Sequence, residues 1–286
     1  MEREELFLAL ARLLGEEVSV PVDFAKVQAA RWRHLPLGGR LEGIEHPDLP
    51  DPNFLLGIDD VKVALDQNTQ QFVAGLPAND VLLWGGRGTG KSSLVKAMLH
   101  RYAAQGLRLV EVENQGILDL PEILTALRKV DDQGRYRYVL FCDDLSFSAD
   151  DPAYRALKSL LDGGIEARPA NVLLYATSNR RHLLPRHFAD NEETERRGGE
   201  IIPGESNEEK ISLSERFGLW LGLYPFDQEQ YLSIVAQHIR LLGGKGKGSA
   251  WQEEALRWAL QRGSRSGRVA QHFARHWVGS QKIAAG

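Results

Sequence analysis

Three observations predict an α/β core with a five-stranded parallel sheet, followed by a small all-helical lid domain. Apolar runs alternate with helical periodicity through the middle of the chain, which is typical of a parallel sheet with helices on both faces. A glycine-rich loop follows the first of these runs, and after Pro225 the periodicity is helical only. We therefore expect an α/β core over residues 51–225 and a helical lid over 226–286, with residues 1–50 preceding both.

The strands and helices can be placed from these periodicities. The five apolar runs that should form strands are at residues 81–84, 108–113, 138–142, 172–178 and 219–224. In the lid, one helix should run from about Asp227 to Leu242. A second should begin at a capping box that opens with Ser249, and a third near Ser266. The stretch 243–248 between the first two is expected to be an exposed linker.

Residues 1–50 carry a weaker signal. The apolar side chains between Leu6 and Leu14 lie on one face of a predicted helix, and a proline- and glycine-rich connector is expected from there to about Asp51. A helix with so short an apolar face is stable only when it packs against something. The sequence leaves open whether the core or a partner covers that face.

Composition excludes several classes of protein. The chain has 286 residues and a net charge of −4, which argues against a uniformly basic surface for indiscriminate nucleic-acid binding. No apolar stretch approaches the roughly 20 residues that cross a bilayer, and the acidic first residues are unlike a secretory signal, so we expect a cytoplasmic protein. The single cysteine, Cys142, lies in an apolar run and is expected to pack in the core.

The most specific motif is the glycine-rich run between the first strand and the next helix. It matches G-x-x-x-x-G-K-[ST], in which glycines let backbone N–H groups converge on an anion at a helix N-terminus. Lys91 would reach the β- and γ-phosphates, and the hydroxyl of Ser92 would bind Mg²⁺. The predicted ligand is ATP with Mg²⁺. The residues expected to hold it are Gly85, Gly86, Arg87, Gly88, Thr89, Gly90, Lys91, Ser92 and Ser93.

Two further strands end in polar residues. The apolar run 138–142 is followed by Asp143 and Asp144, at the edge where parallel sheets bind ligands. We expect Asp143 to hold Mg²⁺ and Asp144 to orient a water molecule. Asn179 follows the fourth strand and is placed to position the same water. An aspartate pair can also cap a turn, and polar residues often simply end strands, so these assignments depend on the order of the motifs.

The motifs and their order resemble those of the AAA+ ATPases over roughly residues 50–280. The resemblance implies that the glycine-rich loop is Walker A and that Asp143 and Asp144 form Walker B. It implies that Asn179 is sensor 1.

Two arginines and one apolar segment gain roles only through this resemblance. Arg216, in the run Ser-Glu-Arg-Phe-Gly, corresponds to the arginine finger, which serves a neighbouring subunit in the relatives. Arg268 corresponds to sensor 2, and the segment around Ile58 resembles the one that packs near adenine. The alternative for either arginine is a solvated surface side chain paired with a carboxylate. An oligomer with the nucleotide at its subunit interface is implied.

Several short segments resemble more closely an uncharacterised bacterial AAA+ family known as a domain of unknown function. These segments are Asn68-Thr69, Leu83-Trp84-Gly85, Gly88–Ser93 and Arg265–Arg268. The Arg216 segment and the Asp-Asp-Leu run at 143–145 also resemble helicase-loader and initiator ATPases. The match to the uncharacterised family leaves the biological task of the protein open.

The chain departs from the AAA+ pattern at two places. Many AAA+ hydrolases have Asp-Glu where this chain has Asp143 and Asp144, so the second carboxylate is one methylene shorter and hydrolysis is expected to be slow. Residues 114–117, after the second strand, lack the aromatic pore loop of unfoldases that thread peptides. The first departure weakens the assignment of turnover, and the second disfavours a peptide-threading function.

Three functions remain open at this point. The first is an oligomeric ATPase that remodels or loads a macromolecular partner, supported by the ordered set Lys91, Asp143, Asn179, Arg216 and Arg268. The second is a nucleotide-controlled binding switch with little turnover. The third is a P-loop kinase, which would need neither the arginine finger nor the lid. Phosphate release over many turnovers distinguishes the first two, and phosphoryl transfer to an acceptor other than water would identify the third.

Two features could contact that partner. Residues 187–210 are polar, charged and without periodicity, so we expect a surface loop. Basic clusters lie at 180–187 and at 31–34, and the second contains a tryptophan that could stack on a base. Solvated turns with carboxylate partners are the alternative for both clusters.

Overall fold

A seven-stranded sheet forms the centre of the computed structural model. The structure describes residues 21–36, 38–131, 133–148, 151–163, 168–181, 183, 195–197, 200–202, 213–244 and 250–285. The strands are β1 (Ala29–Leu35), β2 (Gly38–Ile44), β3 (Val81–Gly85), β4 (Leu107–Val112), β5 (Arg137–Cys142), β6 (Val172–Ser178), β7 (Glu195–Arg197), β8 (Glu200–Ile202) and β9 (Leu219–Leu223). The short strands β7 and β8 pair only with each other and belong to the loop expected at 187–210, which otherwise lies outside the described residues. The helix expected within residues 1–20 also lies outside them.

The strand order across the sheet is β2-β1-β4-β5-β6-β3-β9. Every neighbouring pair is parallel except β1 and β2. The prediction of a parallel five-stranded sheet is therefore confirmed for β4, β5, β6, β3 and β9. All seven residues of β6 are buried, as expected for a central parallel strand covered on both faces.

Residues 29–44, for which the sequence predicts a connector, instead form the strands β1 and β2. β1 pairs in parallel with β4, and β2 pairs with β1 in antiparallel orientation at the edge of the sheet. Arginine and histidine interrupt the apolar pattern of β1, and glycine, arginine and glutamate interrupt that of β2; the buried residues are only Ala29, Ala30, Trp32 and Leu41. An edge strand that faces water needs little apolar sequence, so periodicity alone does not identify it.

Helices cover both faces of this sheet. In chain order they are α1 (Asp59–Val73), α2 (Lys91–Tyr102), α3 (Leu120–Val130), α4 (Pro152–Asp162), α5 (Gln228–Leu241), α6 (Ala250–Gln261) and α7 (Gly267–Ala285). Residues of α1, α2 and the last three helices share one hydrophobic core with Leu83, whereas residues of α3 and α4 share a second core with Leu82. Successive side chains of a strand point to opposite faces, which separates the two cores. None of these helices, within the described residues, combines the length and the apolar character that crossing a membrane requires.

The lid consists of the three helices that follow β9. A capping box at the start of α5 joins Asp227 and Gln230, because each side chain accepts a hydrogen bond from the other residue's backbone N–H, at 2.8 and 3.1 Å. Tyr231 of α5 and Phe273 of α7 are buried in the core that includes α1 and α2, so the lid packs directly on the α/β core. The capping box expected at Ser249 and most of the linker before it lie outside the described residues.

A buried hydrogen-bond network fastens α1 to the sheet. The hydroxyl of Tyr175, on β6, is fully buried and lies 2.9 Å from the Thr69 hydroxyl. It also accepts a hydrogen bond from the Asn68 side chain, at 3.1 Å. The Thr69 hydroxyl itself donates to the carbonyl of Leu65, so Tyr175 is the donor to Thr69. Burial raises the pKa of Tyr175 to about 12, which keeps the hydroxyl protonated.

We expect Tyr175→Phe to lower the free energy of unfolding by about 1 kcal/mol, the usual net contribution of one buried hydrogen bond. The loss should be no larger, because Thr69 keeps its bond to Leu65 and Asn68 keeps its bond to the carbonyl of Asn79. Urea denaturation measures the change. The matched control is Tyr224→Phe, at a side chain that is 68% exposed, and it should shift stability by less than about 0.5 kcal/mol. Equal stabilities of the two variants would contradict the role of the network.

Candidate functional site

The glycine-rich loop that is predicted to bind phosphate, called the phosphate loop below, connects β3 to α2, and its shape depends on glycine. Gly85, Gly88 and Gly90 have φ angles of 144°, 77° and 103°, which residues with a side chain rarely adopt. A Cβ on Gly88 would lie only 2.9 Å from the Oγ of Ser266 in the lid. Because α2 begins at Lys91, its first backbone N–H groups are oriented toward the loop. The loop thus combines free N–H donors with a close approach of the lid.

Lys91 is held inside this loop. Its Nζ donates hydrogen bonds to the carbonyls of Gly85 and Gly86, at 2.9 and 2.8 Å, and to the Oδ1 of Asn179 at 3.1 Å. Burial lowers the pKa of Lys91, and the two carboxylates that follow β5 partly oppose this effect. All three hydrogen-bond partners of the amine are neutral oxygens.

Asp143 is linked to the loop through Ser92. The Ser92 hydroxyl donates to the Oδ1 of Asp143 at 2.6 Å, and the Thr177 hydroxyl donates to the same oxygen at 2.5 Å. Asp143 follows β5 directly, and Thr177 lies on the neighbouring strand β6. A carboxylate and a hydroxyl therefore present adjacent oxygens at the carboxyl end of the sheet.

Asp144 is connected to Lys91 through Asn179. The Asn179 amide donates to the Asp144 carboxylate, while its own Oδ1 accepts the hydrogen bond from Lys91. Asp144 has a φ of 54° and is the only residue other than glycine with positive φ in the described chain. Its side chain is exposed, so the carboxylate can reach a ligand.

A cavity of about 780 Å³ between the core and the lid contains all of these side chains. This volume lies within the range of about 300–1,000 Å³ that is usual for ligand sites. The apolar side chains that line the cavity are Phe54, Leu55, Leu56, Ile58, Phe226, Ile234, Leu241 and Leu242. The charged ones are Arg87, Lys91, Lys96, Arg268 and Arg275, with Asp48, Asp51, Asp143 and Asp144.

The lid contributes one face of α7 to this cavity. The backbone N–H of Gly267 donates to the carbonyl of Gly88 in the phosphate loop, at 2.9 Å. Arg268, Gln271 and Arg275 follow at spacings of three and four residues, so they lie on one side of the helix and all line the cavity. Of these three residues, only Arg268 is expected at the site from the sequence motifs. The helical spacing of Arg275 from Arg268 is the signal that would have identified the second arginine.

His238 also lines the cavity and was not identified from the sequence. It lies on the face of α5 that carries Ile234 and Leu241 into the cavity. Burial lowers the pKa of His238, and the positive charge of Arg275 lowers it further, so the neutral imidazole is favoured. No motif surrounds this histidine, and only the packing of α5 on α7 brings it to the site.

Arg216 does not line the cavity. It lies between a short helical segment that begins at Leu213 and the strand β9, and its Nε donates to the carboxylate of Asp162 at the end of α4. The predicted site residues therefore separate into two groups. Those of the phosphate loop from Arg87 to Ser93 line the cavity with Ile58, Asp143, Asp144, Asn179 and Arg268, whereas Gly85, Gly86 and Arg216 do not line it.

The basic cluster at 31–34 is neutralised locally. Arg31 donates to Glu111 and Arg33 donates to Glu42, each at 2.8 Å. These ion pairs favour the alternative of a solvated surface over nucleic-acid contact at this cluster. The basic cluster at 180–187 lies largely outside the described residues.

Solved structures of Thermotoga maritima RuvB are similar to this chain. One RuvB variant has a TM-score of 0.55 and 16% identity, covering 82% of this chain and 66% of the RuvB chain. RuvB described as a Holliday junction branch migration motor has a TM-score of 0.51 and 18% identity, covering 82% of this chain and 68% of its own. The chain thus spans about two thirds of the RuvB length. At such identities the likeness shows the fold, and it confirms the AAA+ architecture.

The family comparison covers nearly the whole described chain. No functionally curated protein matches the chain at a significant level. The model of the family described as protein of unknown function (DUF815) matches residues 25–281, from before β1 into α7. The chain therefore belongs to the DUF815 family and has an AAA+ fold.

Proposed function

We propose that this protein binds ATP with Mg²⁺ in the cavity between the core and the lid and hydrolyses it. The observation that carries the proposal is the continuous set of hydrogen bonds from Lys91 through Asn179 to Asp144, beside the pair of Ser92 and Asp143. These five side chains come from three separate parts of the sequence. Phosphate binding, metal binding and water positioning would then occur within one site.

The charges of the cavity support a polyphosphate ligand. Five cationic side chains line it, at Arg87, Lys91, Lys96, Arg268 and Arg275. Because phosphate oxygens are stronger acceptors than the neutral carbonyls that Lys91 now contacts, we expect the amine to exchange those carbonyls for the β- and γ-phosphates. The apolar lining around Ile58 suits a purine base.

The donor set suits Mg²⁺ bound together with phosphates. Within the described residues no three histidine, cysteine, aspartate or glutamate side chains form a metal cluster. Mg²⁺ is usually held by one or two carboxylates and by phosphate oxygens and water, rather than by a cage of protein ligands. Ser92 and Asp143 would supply the two protein oxygens. Mg²⁺ bound there would neutralise phosphate charge.

Hydrolysis requires a water molecule aimed at the γ-phosphate. Asp144 would accept its hydrogen bond, and Asn179 would hold Asp144 in place. The aspartate is shorter than the glutamate found in many AAA+ hydrolases, so we expect slow turnover. A nucleotide-controlled switch with little hydrolysis is the second candidate. Lys91 donates a hydrogen bond to Asn179, so these two side chains contact each other and neither is free to act on a phosphate or a water molecule until that bond breaks.

We further propose that turnover occurs in an oligomer that acts on a macromolecular partner. Arg216 lies outside its own cavity, so it could complete the site of a neighbouring subunit, as the AAA+ resemblance implies. An arginine supplied in trans contributes about 10³ to 10⁵ in rate. In this protomer the guanidinium pairs with Asp162, an exposed carboxylate that a γ-phosphate would replace.

Lys91→Ala should weaken ATP binding by a few kcal/mol, because it removes a charged donor to the phosphates. Titration calorimetry with ATP and Mg²⁺ measures the affinity. Arg101→Ala is the matched control, since Arg101 lies on the same helix and pairs with Asp66 outside the cavity. Unchanged affinity in the Lys91 variant would remove the phosphate-loop assignment and with it the proposed function.

Asp143→Asn should abolish Mg²⁺-dependent turnover while keeping much of the ATP affinity. Asparagine retains an acceptor for Ser92 and Thr177, so the local fold should persist, but its neutral amide is a poor ligand for Mg²⁺. Phosphate release measured across a Mg²⁺ titration tests this. Full turnover with the wild-type Mg²⁺ dependence would rule out the metal role.

Arg216→Ala should bind ATP almost normally but lose turnover. Mixing it with Lys91→Ala subunits should restore part of the activity, because a mixed interface can place an intact phosphate loop beside an intact arginine. Subunit exchange is verified by fluorescence energy transfer between labelled chains. Absence of rescue despite exchange would reject an arginine supplied in trans and would favour the switch.

A further inference from the structure

We propose that Thr177 is the positioning residue that holds both Walker B carboxylates in their working geometry. This inference rests on the proposed ATPase function. From the sequence, the polar end of β6 is expected to contact water through Asn179. Thr177, two positions earlier, is almost completely buried, and its hydroxyl contacts both carboxylate residues, so its role differs from that of Asn179.

The register of the sheet places Thr177 beside Asp143. β5 and β6 are parallel, and their last pair joins Cys142 to Ala176. The next residue of each strand is therefore Asp143 on one side and Thr177 on the other. Side chains at such neighbouring positions of adjacent strands lie on the same face of the sheet, close enough for a hydrogen bond.

The Thr177 hydroxyl makes one hydrogen bond with each of the two aspartates, as the donor to one and as the acceptor from the other. It accepts a hydrogen bond from the backbone N–H of Asp144 at 2.8 Å. An N–H can only donate, so the hydroxyl proton is left for the Oδ1 of Asp143, 2.5 Å away. One hydroxyl thus orients the proposed metal ligand and, at the same time, fixes the backbone of the proposed water-orienting residue.

Asp144 needs such support because its backbone is strained. A φ of 54° places Asp144 in the left-handed region, which residues with a side chain adopt less readily than glycine. Thr177 contacts the chain on both sides of that φ angle: its hydroxyl accepts from Asp144, and its carbonyl accepts from the N–H of Leu145 at 2.7 Å. Residues in such conformations persist when their surroundings over-determine them. Without the hydroxyl, Asp144 can relax and its carboxylate moves away from Asn179.

The test compares three variants of buried threonines. Thr177→Val keeps the shape and removes both hydroxyl contacts, whereas Thr177→Ser keeps the hydroxyl. Thr69→Val is the matched control, because it makes the same change at a buried threonine that is hydrogen-bonded to Leu65 and Tyr175, away from the cavity. Urea denaturation of all three measures the purely structural cost.

We expect Thr177→Val to lower kcat roughly 10- to 100-fold, the scale of a small misplacement of a catalytic group. KM for ATP should change little, and the Mg²⁺ concentration that supports half-maximal binding of a slowly hydrolysed ATP analogue, measured by calorimetry, should rise. Thr177→Ser should retain most of kcat and the wild-type Mg²⁺ requirement. Thr69→Val should lower the stability of the protein but keep the wild-type kcat and the wild-type Mg²⁺ requirement.

The outcomes separate this inference from the proposed function. Wild-type kcat and wild-type Mg²⁺ requirement in Thr177→Val, in a protein that hydrolyses ATP, would overturn the positioning role alone. Equal losses of kcat in Thr177→Val and Thr69→Val would also overturn it, since stability would then explain both. A wild-type protein that binds ATP without turnover leaves the Mg²⁺ requirement of binding as the deciding measurement. A wild-type protein that binds no nucleotide overturns the proposed function and this inference together.

Discussion

The site depends on one constraint, the adjacency of three parallel strands in the order β5-β6-β3. Parallel strands in register end at the same edge, so the residues that follow them meet there although the chain separates them widely. The phosphate loop follows β3, Asp143 follows β5, and Asn179 follows β6. A change in this order would scatter the three groups, whatever their sequence motifs. The hydrogen bonds among them are consequences of the strand order.

Much of this arrangement could be predicted from the sequence, and the residues explain why. Buried parallel strands are continuous apolar runs, so β3 to β6 and β9 are recognisable, and the glycine-rich loop has a spacing that few other structures share. By contrast, β1 and β2 carry arginine, glutamate and glycine, and their pairing with β4 depends on tertiary contacts. His238 reaches the cavity because α5 packs on α7, which no local pattern encodes, whereas the helical spacing of Arg275 from Arg268 is a pattern that the sequence does contain.

The contacts of Thr177 could not be predicted from the sequence for a different reason. The polar end of β6 is recognisable from the sequence as a candidate part of the site, but the hydrogen-bond partners of each residue there cannot be predicted from its type. Thr177 and Asn179 both line the cavity. Thr177 is almost completely buried and its hydroxyl contacts Asp143 and Asp144, whereas the side chain of Asn179 bridges Lys91 and Asp144. Contacts that form only in the folded protein therefore distinguish the roles of these two residues.

The edge strand β9 connects Arg216 to the cavity wall beside the lid. β9 pairs with β3 alone among the described strands, and the carbonyl of Leu223 lies so close to Gly85 that a Cβ there would be 1.9 Å away. Arg216 precedes this strand and Phe226, which lines the cavity beside the lid, follows it. Eleven residues therefore connect Arg216 to the cavity wall at Phe226, and they pass against the phosphate loop. Arg216 and the lid side of the cavity are thus separated by only one strand and a few residues on either side of it.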